Sequence, residues 1–205
     1  MSHSSVMSGF PTSFSLNNTL EDFYDAPLRR AIVWCTSSKY DEWRISFETI
    51  NDVRQLTYIY VKLVDSLSIA SKNNVFVRTQ VDPGVRRSTR VLFIPRNEPH
   101  TTGAGAVELA EAQVTPGTTL RDVMVIMAEH IPYYELTEKT HGVSAWVYSH
   151  VENFLFRGIL IDTPGTGVIN TIQNKIIQYN NMPGYIHSPE STWPLTQGTV
   201  HQGPP

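Results

Sequence analysis

The sequence predicts a single α+β domain, an antiparallel sheet packed against two or three helices. Three observations carry that expectation. The 205 residues, 40% of them hydrophobic and 17% charged, suit one folded domain with a substantial core and are short for two. Segments such as Glu42–Glu48 alternate with period two: Trp43, Ile45 and Phe47 fall on one side, Glu42, Arg44, Ser46 and Glu48 on the other. Other segments carry apolar stripes at helical spacing, bounded by start and stop signals.

In chain order, residues 1–26 read as a flexible lead-in, with ordered structure starting near Pro27. Arg30–Cys35 reads as a first strand and Glu42–Glu48 as a half-buried second. Between Asp52 and Ala70 the signals compete. Tyr58-Ile59-Tyr60-Val61 favours a strand by propensity, while Leu56, Ile59, Tyr60, Leu63, Val64 and Leu67 form a helical stripe. The persistence of the stripe tips the expectation to helix. Val75–Val81 and Arg90–Ile94 read as strands around a turn at Asp82-Pro83-Gly84, and Ala106–Val114 as another strand after a loop at Pro95–Gly105.

Thr119 can cap a helix, with Asp122 three residues on to answer it and Leu120, Val123, Met127 and Ile131 along one face. A second helix starts near Val143 or Ser144, buries Trp146, Val147, His150, Val151, Phe154 and Leu155, and stops at Gly158. A third runs from Val168 to Tyr179 through Ile169, Ile172, Ile176 and Ile177. The domain thus spans 27–187, followed by a Pro- and Gly-rich surface tail over 188–205.

Composition narrows the function classes. A net charge of −3 argues against nucleic acid as a partner. No apolar run reaches membrane-spanning length, and the serine-rich start lacks the pattern of a secretory signal, so a cytoplasmic protein is expected. Cys35 is the only cysteine, which excludes an internal disulfide and a multi-cysteine metal site; in its apolar run it should behave as a small buried hydrophobe. The seven histidines show no i, i+4 pair, so neither a metal nor another cofactor is expected. Gly103-Ala104-Gly105 is not a phosphate loop, and Gly165-Thr166-Gly167 reads as a plain turn. Arg86, Arg87, Arg90 and Arg96 read first as a solvated strand edge, and second as a clamp for an anionic ligand. Ser144 is first of all a helix cap, although His141 and Ser144 also sit where a helix dipole favours negative charge.

Asp41-Glu42-Trp43-Arg44-Ile45-Ser46-Phe47-Glu48 and Gly142-Val143-Ser144-Ala145-Trp146-Val147-Tyr148, with Gly158-Ile159-Leu160 after it, resemble two motifs of an uncharacterised fungal domain family with distant papain-like and NlpC/P60-like features. Asn74–Arg78, Asp82-Pro83-Gly84, Pro116–Asp122 and Pro194–Val200 extend the resemblance, which covers roughly Leu28 to Val200 with Asn51–Lys72 as an insertion. It implies a histidine before the strand tryptophan and a cysteine at the helix start. Here those positions hold Glu42 and Val143, so a thiol hydrolase is excluded.

What the resemblance leaves is a cleft between the Glu42 strand and the His141–Ser144 helix start. Glu42 would act there as general acid or base, His141 as its complement and Ser144 as a fallback nucleophile. Arg44 and Arg96 would hold an anionic group, and Trp146 and His150 would complete the substrate contacts. The implied activity is a cofactor-independent cyclase, isomerase or lyase acting on a small fungal metabolite. The alternative is a non-catalytic descendant that binds a small molecule or a protein. A homodimer is compatible with either.

Overall fold

The structure is a computed structural model and describes residues 20–36, 43–50, 56–65, 68–70, 76–78, 89–96, 106–130, 134–135, 142–162, 167–181, 193–195 and 197–200. A 3-10 turn at Leu20–Phe23 leads into β1 (Leu28–Thr36), β2 (Arg44–Ile50), β3 (Leu56–Asp65), β4 (Ser68–Ala70), β5 (Phe76–Arg78), β6 (Thr89–Arg96) and β7 (Ala106–Val114). Then come α1 (Leu120–His130), β8 (Tyr134–Glu135), α2 (Val143–Phe156), β9 (Leu160–Ile161), α3 (Val168–Asn180) and β10 (Thr199–Val200). Six strands form one antiparallel sheet in the order β6-β3-β2-β1-β7-β9, while β4 pairs with β5 and β8 with β10. The α+β expectation holds. No described helix is long and apolar enough to cross a membrane.

Register sorts the side chains onto two faces. Ala31 pairs with Phe47, Val33 with Ile45, Ile45 with Val61 and Phe47 with Ile59. These residues join Leu120, Val123, Met127, Trp146, Val147, Val151, Phe154, Ile172 and Ile176 of the three helices in one core. A bulge between β1 and β7 pairs Val33 with Ala110 but Trp34 with Glu108, skipping Leu109. The skipped residue lets consecutive Leu109 and Ala110 both enter the core. Cys35 is fully buried beside them.

β2 is not half-buried as its alternation suggests. Ser46 and Glu48, opposite Ile45 and Phe47, are only 2% and 5% exposed. The sheet is covered on both sides at its centre. This also explains β3, where a helix was expected. Tyr58 and Tyr60 bury on one face, Ile59 and Val61 on the other, so a strand buried on both faces shows a continuous apolar run rather than period two. The stripe was a by-product of that run.

α1 begins as expected, with Thr119 and Asp122 in reciprocal hydrogen bonds. At α2 the cap is Gly142, with φ of 117° and no side-chain hydrogen bond, so the capping role expected of Ser144 is corrected: Ser144 lies inside the first turn, fully buried. In α3, Ile172 and Ile176 enter the core but Ile177 is 40% exposed. β6 is an edge strand, where the arginine-rich edge was placed by sequence; Arg86 and Arg87 lie outside the described residues. The core also draws on both flanking segments. Phe23 and Leu195 are buried in it, and Trp193 packs edge-on against Tyr148.

Candidate functional site

Strand alternation places Arg44, Ser46 and Glu48 on the face of the sheet opposite the helices. Cross-strand register then sets Trp34 beside Arg44, Ile32 beside Ser46, and Tyr60 beside Ser46 from the other side. The Trp34 indole Nε1–H donates to Ser46 Oγ at 2.7 Å, and Tyr60 meets the indole edge-on at 6.0 Å. The Arg44 guanidinium carbon stands 4.7 Å from the Trp34 ring centroid, a cation–π stack. Trp34, Ser46 and Tyr60 are buried, whereas Arg44 is half-buried. Three immobilised side chains therefore support one partly accessible cation.

A second row crosses the same face. Arg30 Nε donates to Glu48 Oε2 at 2.6 Å and its Nη1 to Glu111 Oε2 at 3.0 Å, with Arg29 3.8 Å from Glu48. The Glu48 hydrogen bond and the charges of Glu48 and Glu111 raise the Arg30 pKa above its usual value. Glu48 is thus a neutralised ion-pair partner of fixed position, which suits a structural role more than proton transfer.

The helix-covered face holds the other described residues singled out by sequence. Ser144, Trp146 and His150 are fully or almost fully buried on α2. The His150 ring lies 4.4 Å from Trp146 and 6.0 Å from Phe154 on its own helix, and 5.3 Å from His130 at the end of α1. Neither His150 ring nitrogen has a hydrogen-bond partner. Desolvation, with His130 adding to it, pushes its pKa down to about 3. His130 is exposed, and its Nε2 lies 2.9 Å from Ser149 Oγ. Partial burial, assisted by Arg157, lowers its pKa too, against the opposing Ser149 contact.

The sheet therefore separates Arg44 from Ser144, Trp146 and His150. Glu42 and His141 lie outside the described residues, and Arg96 pairs with Tyr58 in the β3–β6 ladder. Trp34 and Tyr60 escaped the sequence reading because only register brings their strands beside Arg44 and Ser46. The His130–His150 pair escaped because it joins two helices, and a search for short spacings cannot find it. Among the described residues, no group of three or more His, Cys, Asp or Glu is placed to hold a metal. No family model, curated protein or solved structure matches the chain.

Proposed function

We propose that this chain is a cytoplasmic, non-catalytic domain that binds a small organic anion through Arg44. The observation that supports it is the stack of Arg44 on Trp34, itself fixed by Ser46 and Tyr60. A guanidinium held over an aromatic ring is restricted in its motion, and its N–H groups match a carboxylate or phosphate. The ordering cost is met on folding, so less is lost when a ligand binds. Separation of Arg44 from α2 by the sheet favours this reading over the acid–base enzyme, which needs the Glu42 strand face and the helix start to line one cleft.

The test is incubation of the purified protein with a metabolite extract, followed by mass spectrometry of both the retained and the free fractions. The expected result is an acidic small molecule retained by the wild type and lost, by at least tenfold in occupancy, from Arg44→Gln. Retention unchanged in Arg44→Gln would reject the assignment. A metabolite consumed rather than retained, with consumption dependent on Glu42, would restore the acid–base enzyme.

A further inference from the structure

We infer that His130 and His150 form a two-histidine site for a divalent transition-metal ion that ties α1 to α2. The starting point is His150, an imidazole with no exposed surface and no hydrogen-bond partner at either nitrogen. Buried polar atoms are almost always satisfied, and one that is not points to a ligand, an ion or a water. Its polar neighbour across the helix pair is a second imidazole. The ring centroids of His130 and His150 are 5.3 Å apart. Metal–nitrogen bonds of 2.0–2.1 Å put two ligating ring centroids at most about 6.4 Å apart, and the separation of the two rings lies within that limit.

The surroundings of His130 fit the same role. A ligating histidine commonly has its other ring nitrogen fixed by an outer hydrogen bond, which sets the tautomer and the ring orientation. The contact of His130 Nε2 with Ser149 Oγ is of that kind: with Nε2–H donating to the hydroxyl, Nδ1 carries the free lone pair. Ligation also needs neutral imidazoles. Trp146 and Phe154 flank the His150 ring, and no carboxylate pairs with either ring among the hydrogen bonds and ion pairs of the described residues. Two imidazoles favour Cu²⁺, Ni²⁺ or Zn²⁺ over Mg²⁺ or Ca²⁺, and water would complete the coordination sphere.

The whole chain, freed of metal, is titrated calorimetrically with NiCl₂ and ZnCl₂, with MgCl₂ as control, and its melting temperature is followed in parallel. The expected result is one saturable Ni²⁺ or Zn²⁺ site in roughly the micromolar range, an upward shift in melting temperature, and no response to Mg²⁺. His130→Ala, a change at an exposed position, abolishes both effects, and Ser149→Ala weakens affinity about tenfold or more. His150→Phe fills the same space without a ligand, and it also abolishes binding. Absence of binding at millimolar metal overturns the site, as does binding that survives in His130→Ala, which would place the ion on other histidines.

Discussion

At the scale of single residues, the informative ones are the polar groups buried on the Arg44 face, because their partners are specific side chains. Removing the Ser46 hydroxyl leaves the buried Trp34 N–H without its acceptor. Ser46→Ala should therefore cost about 1–3 kcal/mol in urea denaturation, the range for an orphaned buried donor, against only a few tenths if the contact were incidental. The Arg30 pairs should rank by burial. Glu48, at 7% side-chain exposure and 2.6 Å, is the inner partner; Glu111, at 36% and 3.0 Å, is the outer one. Arg30 is itself about one-third exposed, so solvent screening moderates both. Glu48→Gln should cost about 2 kcal/mol and Glu111→Gln less than about 1 kcal/mol, and equal costs would show that burial does not set the hierarchy. Of these residues, only Arg44, Ser46 and Glu48 could be placed together by alternation. Trp34, Tyr60 and Arg30 come from other strands, and the register that aligns them depends on pairing energies spread over whole ladders, which no local pattern encodes.

At the scale of elements, legibility followed the locality of the signal. The Thr119–Asp122 box spans three residues, and the structure has it with Thr119 and Asp122 each bonded to the other. Thr119→Ala should cost about 1 kcal/mol, measured by the same denaturation, with Asp122→Ala similar because the two bonds are reciprocal. α2 begins differently. Its first turn is fixed by Gly142 at φ of 117°, a conformation that a Cβ disfavours, and the Trp146 amide hydrogen bonds back to the Gly142 carbonyl. Gly142→Ala should cost about 1 kcal/mol or more and lower amide protection in the first turn of α2 selectively; a neutral effect would place the helix start elsewhere. Reading Ser144 as the cap was reasonable from residue type. It failed because tertiary packing of Trp146 and Val147 sets where the helix enters the core. β3 was misread for a related reason: double-sided burial erases the alternation on which strand recognition depends, leaving β-branched and aromatic propensity as the better guide.

At the scale of the whole molecule, the core is completed by Phe23 and Leu195, which lie outside the segment that composition marks as the domain. Leu195 is 6% exposed within a stretch whose proline and glycine content reads as surface tail, and Trp193 packs on Tyr148 of α2. Thr199 and Val200 pair with Glu135 and Tyr134 in a short ladder. Composition reports the average character of a segment, while burial is decided by single apolar side chains that reach a groove, and one leucine is enough. The consequence is a contrast between two apolar positions that sequence reasoning would rank the other way. Ile177 lies on a helix in an apolar stripe, yet it is 40% exposed; Leu195 lies in the tail, yet it joins the core. Leu195→Ala should cost about 2–4 kcal/mol, the range for truncating a buried leucine, with the spread set by how far Trp193 and its neighbours collapse into the space. Ile177→Ala should stay within about 0.5 kcal/mol, since alanine also favours the helix. Urea denaturation of the two variants beside the wild type decides the matter. If Ile177→Ala proved the more damaging, the C-terminal segment would be a passenger on the domain; the reverse order makes it part of the fold.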